Sequence, residues 1–147
     1  MVENAPPTSN VARWHNACAP GLDDLAALAE AAVADIPNPL RRHLEGVVFR
    51  VDDWPDDDVM TQMGLETPFD LLGLYQGVSL AEKSQFDSGG LPDTVILYRR
   101  AILDVWAEGE ERLGDLVRHV LIHEVGHHFG FSDDDMTALE RDGDPTG

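Results

Sequence analysis

The sequence predicts a single α+β domain, an expectation that rests on three stretches. Leu22, Leu25, Leu28, Val33 and Ile36 recur at the spacing of one helix face near the N-terminus. Val47-Val48-Phe49-Arg50-Val51-Asp52 alternates as a half-buried strand does. Leu113, Leu116, Val117, Val120 and Leu121 then form a second helical stripe, long enough to cover a sheet. With 147 residues, of which 43% are hydrophobic, the chain can fill one core and is too short for two ordinary domains.

The elements follow in chain order. Residues 1–20 hold no hydrophobic signal core and read as a flexible tail containing Pro, Asn and Ser. Gly21 and Asp24 are placed as N-cap and third residue of the first helix, which stops at Pro37-Asn38-Pro39. After the alternating strand, Pro55 opens a short helix that Gly64 closes. Residues 71–80, punctuated by Gly73 and Gly77, read either as an irregular strand whose glycines allow close backbone approach or as a buried connecting loop. A Gly-rich loop spans residues 85–92, and residues 94–102 are expected as the last strand before the long helix. The domain is expected over residues 21–140, with 141–147 frayed.

The chemistry sits at the end of the long helix, where residues 123–133 fit the pattern HExxHxxGxxD. Two histidines four apart lie one turn above each other, so His123 and His127 can grip one Zn2+ with Glu124 placed beside the water such an ion activates. Gly130 lacks a Cβ and can take the left-handed conformation that ends a helix, turning the chain so that Asp133 returns beneath the two imidazoles. Three protein ligands leave a fourth position open, as catalytic zinc sites do. Four of the six histidines fall between positions 119 and 128, a clustering that chance surface placement does not explain. His119 is a spare candidate ligand, but a ladder of His119, His123 and His127 spans about 12 Å at the helical rise, which favours a role supporting the ligands or lining the cleft. His128 points about 100° away from His127 and is expected to pack or lie at the surface. Arg112, Asp115, Arg118 and His119 flank the face opposite the apolar stripe, which puts the ligands where the buried face meets solvent.

These residues, together with the segments 71–77, 96–100 and 118–136, resemble the mini-zincins, a small bacterial family of zincin-like metallopeptidases with a matrix-metalloproteinase-like core. The likeness covers roughly residues 22–136. It implies a minimal zincin-like domain, in which a small mixed sheet packs on the N-terminal helix and the HExxH helix. It also implies His123, His127 and Asp133 as zinc ligands and Glu124 as general base, with an edge strand near the site that pairs with substrate. The chain departs from the larger metzincins in having only Met136 after Asp133, too close for their methionine turn. No tyrosine follows Asp133, and Tyr75 and Tyr98 are given no catalytic role.

Charge narrows the partners. A formal net charge of −18, from 28 acidic and 10 basic residues, disfavours nucleic acids and anionic membranes, which find only the basic pairs Arg41-Arg42 and Arg99-Arg100. The remaining expectation is a peptide or protein substrate, with a second copy of the chain able to complete a small cleft as a homodimer. Cys18 alone permits no internal disulfide, and a cytoplasmic location is expected. Two other readings keep the metal: a regulatory protein that binds without catalysis, and a metal-dependent endoribonuclease. Glu124 and the acidic charge argue against the ribonuclease, whose resembling bacterial family carries histidine as last ligand and no glutamate after the first.

Overall fold

The computed structural model describes residues 9–77 and 92–130. Within them the elements run α1 (Asn10–His15), α2 (Leu22–Ala34), α3 (Asn38–Arg41), β1 (Val48–Asp52), α4 (Asp57–Met63), β2 (Gly73–Gln76), β3 (Thr94–Tyr98), α5 (Arg99–Glu108) and α6 (Leu113–His128). Short 3-10 turns at Arg42–Leu44 and Pro68–Asp70 complete the set. Among the described residues, six helices and one small mixed sheet make this an α+β protein of the expected kind.

The sheet order is β1-β3-β2. β1 runs parallel to β3, with Val48 opposite Thr94 and Asp52 opposite Tyr98. β2 runs antiparallel to β3, with Gly73 opposite Leu97 and Tyr75 opposite Val95. A central strand is covered on both faces, and β3 shows it: Val95, Ile96, Leu97 and Tyr98 are all buried. Val95 and Leu97 join the main core with α2 and α6, whereas Ile96 and Tyr98 pack on the other face with Ala101, Leu71, Leu72 and Leu74.

α2 begins where expected, with the Asp24 carboxylate accepting from the Gly21 N–H at 2.7 Å. Its buried face is Leu25, Ala29 and Ala32; of the other residues on the predicted face, Leu28 and Val33 are partly buried, Leu22 is exposed, and Ile36 is buried just beyond the end of the helix at Ala34. α4 is capped by Asp56, whose side chain accepts from Val59 N at 2.8 Å, so Pro55 lies just outside the helix. Gly64 closes it in the left-handed region at φ 63°.

The last strand ends four residues earlier than the sequence suggests. Tyr98 N still bonds Leu72 O at 2.9 Å, but Asp52 is the last β1 residue in register and Gly73 the first of β2. Beyond Tyr98 the chain has no ladder to join. It turns at once into α5, built from helix formers such as Arg99, Arg100, Ala101 and Leu103, and buries Ala101 and Ile102. Arg99 secures that corner by donating to Pro20 O at 2.6 Å and to Asp53 Oδ1 at 2.8 Å. No helix among the described residues is long and apolar enough to cross a membrane.

Candidate metal centre

α6 carries the candidate site. Of the predicted stripe Leu116, Val117, Val120 and Leu121 are buried and Leu113 is partly buried, and Val125 extends it, which fixes how the helix rotates against α2 and the sheet. Asp115 lies in the first turn, where its charge suits the positive end of the helix dipole. At the other end Phe129 N bonds Val125 O at 3.2 Å and Gly130 N bonds His127 O at 3.0 Å. Gly130 has φ +84°, the left-handed conformation that stops the helix.

With the helix rotated this way, His123 and His127 emerge side by side at the edge of the buried face. Their ring centroids are 4.9 Å apart and both rings are partly exposed, so both can reach an ion arriving from solvent. Glu124 projects from the adjoining stripe and is buried, with Oε2 3.9 Å from His127 Nδ1. His119 is exposed one turn earlier.

β2 lies along the same turns of α6. A Cβ built on Gly73 would stand 2.9 Å from Val120 Cγ1, 3.1 Å from Glu124 Cγ and 3.3 Å from the Ile96 carbonyl. Glycine at this position is therefore what allows the strand backbone to press against the glutamate. Two residues on, the Tyr75 hydroxyl sits 3.3 Å from His128 Nδ1. β2 is at the end of the sheet and, among the described residues, pairs only with β3. Residues 73–76 thus settle as strand rather than connecting loop.

Among the described residues no set of three or more His, Cys, Asp or Glu side chains is placed to hold a metal ion. Asp133, expected as the third ligand, lies outside them, as do Asp134, Asp135 and Met136. The two imidazoles, four residues apart with ring centroids 4.9 Å from each other, are of a ligand type that suits zinc.

Sequence reasoning leaves open whether His128 packs or faces water. The structure buries it to 2% exposure, with Nδ1 3.2 Å from Asp93 Oδ2 and Nε2 3.1 Å from the His43 carbonyl oxygen. Sequence reasoning misses Asp93, whose only local signal is a carboxylate just ahead of an apolar strand. Tyr98, the other tyrosine, is buried at 1% exposure on the opposite sheet face. Burial, and then the nearby Asp52 and Asp56 carboxylates, push its phenol up to about 12.

Comparison with known proteins agrees with this architecture. A conserved hypothetical protein from Thermo thermophilus has a similar fold, with TM-score 0.50 and 24% sequence identity over 82% of this chain and 99% of that one. No curated protein matches the chain. The zincin-like metallopeptidase family matches residues 44–143, more than half of the chain and the whole stretch from β1 through α6 and the expected third ligand. On that match, and with a small mixed sheet backing a helix that carries His123, Glu124 and His127, the chain belongs to the zincin-like metallopeptidase family.

Proposed function

We propose that the protein is a zinc-dependent peptidase in which His123, His127 and Asp133 hold the metal and Glu124 is the general base. The observation that carries this reading is the placement of Glu124: buried, on the stripe next to the paired imidazoles, and in contact range of the edge strand β2 at Gly73. When bound, zinc supplies a Lewis acid that polarises a carbonyl and makes water nucleophilic near neutral pH. Glu124 accepts a proton from the attacking water, whose oxygen adds to the peptide carbonyl carbon. The same carboxyl then returns that proton to the amine nitrogen as the C–N bond breaks. β2 contributes backbone groups along its outer edge, where an extended peptide can add as a further strand and bring its carbonyl to Glu124.

The test separates metal binding from proton transfer. Glu124→Gln keeps the side-chain shape but cannot accept the proton. It is expected to bind zinc as wild type does while chelator-sensitive cleavage of short unstructured peptides falls by about 10² to 10⁴. Cleavage that survives the substitution undiminished, or no cleavage by zinc-loaded wild type, overturns the proposal.

A further inference from the structure

We propose that His128, Asp93 and Tyr75 form a buried clamp that positions the last turn of α6, and through it His127 and the Gly130 turn, for metal binding; this rests on the zinc reading above. His128 follows His127 directly and is in contact with three distant parts of the chain. Its Nε2 faces the His43 carbonyl oxygen at 3.1 Å, and because a carbonyl only accepts, that nitrogen carries the hydrogen. Its Nδ1 faces Asp93 Oδ2 at 3.2 Å and the Tyr75 hydroxyl at 3.3 Å. The carboxylate can accept from an N–H there, and the hydroxyl can donate to a bare nitrogen. Nδ1 is satisfied in either form.

The anchors are themselves fixed. The Asp93 backbone carbonyl accepts from Val48 N at 2.8 Å, at the start of the β1–β3 ladder, and Tyr75 belongs to β2. The Asp93 carboxylate occupies the space where a side chain at position 77 would stand. A Cβ on Gly77 would come within 2.2 Å of Asp93 Oδ1, and its φ of +151° suits only glycine. Edge-on ring contacts extend the cluster, from Tyr75 to His128 at 5.7 Å and from His128 to Phe129 at 5.3 Å.

An apolar side chain at His128 would take a partner from the buried Asp93 carboxylate and from the His43 carbonyl, so the cluster supports stability as well, and only an effect on metal affinity distinguishes positioning from stability. A helix end frays unless it is tied down, and this end carries one imidazole ligand together with the turn leading to Asp133. Groups that hold ligands in place tune affinity without touching the ion.

The experiment titrates full-length apo-protein with Co2+, whose visible absorption reports ligand geometry, and then competes it with Zn2+. Asp93→Ala is expected to weaken metal affinity about 10- to 100-fold and to alter the Co2+ spectrum. Asp93→Asn restores both, because its amide N–H can donate to Nδ1. Ile102→Ala, in α5, serves as a core control that loses stability and keeps metal affinity. Tyr75→Phe removes a single oxygen; a weakening there is expected even if Asp93→Ala does not fold. Wild-type affinity and spectrum in Asp93→Ala or Tyr75→Phe overturn the clamp, as does an equal loss in Ile102→Ala. Wild type that takes up no Co2+, or His127→Ala that takes it up normally, overturns the zinc reading itself and the clamp with it.

Discussion

At the scale of single residues, position along the helix face decides chemistry. His123 and His127 share a stripe, Glu124 lies on the next one, and His128, one residue beyond a proposed ligand, points into the core. Such neighbours do different work because each step rotates the side chain by about 100°. The same reasoning sets a register for the third ligand. Gly130 ends α6 in the left-handed conformation, and on the frame HExxHxxGxxD the proposed third ligand is Asp133, with Asp134 or Asp135 as the alternative should the turn run one residue longer. Asp133→Ala is expected to lower zinc affinity by at least an order of magnitude, in line with losing one of three ligands, while the two neighbouring alanine variants bind nearly as wild type does. Isothermal titration of the three variants checks this, and an Asp134→Ala variant that proves the damaged one moves the register by a residue.

At the scale of elements, the contact between β2 and α6 is set by what Gly73 lacks. An added methyl meets Val120 and the Glu124 stem at 2.9 and 3.1 Å, and the Ile96 carbonyl behind it cannot give way. Gly73→Ala should therefore cost about 1 to 3 kcal/mol, the usual penalty of overpacking. Gly64→Ala is the comparison: its Cβ would meet open space, and its cost is the conformational one of about 1 kcal/mol for a left-handed residue. Urea unfolding ranks the two. If Gly73→Ala proves no more destabilising than Gly64→Ala, β2 is free to move away from the helix and does not fix the position of Glu124.

At the scale of the whole molecule, the two faces of the sheet have different tasks. One packs α2 and α6 and so carries the site; the other buries Ile96, Tyr98 and Ala101. The second face is expected to make global stability sensitive to alkaline pH. The Tyr98 phenol is pushed up to about 12 in the fold, against 10.0 in the unfolded chain. Between those values the unfolded chain has released a proton that the folded one retains, so stability is complete below about pH 10 and declines as pH rises toward 12. A fall on the order of 2 kcal/mol is expected between pH 9 and 11.5. Urea midpoints across that range should drop for wild type and flatten for Tyr98→Phe. With two tyrosines and one cysteine in the chain, few other groups compete for the effect. A wild-type midpoint that stays level assigns Tyr98 no such role.

The sequence by itself determined what lies within a few helical turns: the stripe that orients α6, the pairing of His123 with His127, the place of Glu124, and the glycine stop at Gly130. These depend on the 3.6-residue repeat and on the absence of a Cβ, both local properties that a single strand of text carries. It also indicated the class, because two amphipathic helices and one alternating strand leave few ways to close a core in 147 residues. Tertiary structure alone decided that β3 lies between β1 and β2, and therefore that the chain leaves the ladder at Tyr98 and forms α5. It alone brought Gly73 against Glu124, and joined His128 to Tyr75 and His43 across 53 and 85 residues. Periodicity is silent on such contacts, since which distant backbones meet is set by how the whole chain reverses and packs, and no residue's neighbours in sequence report it.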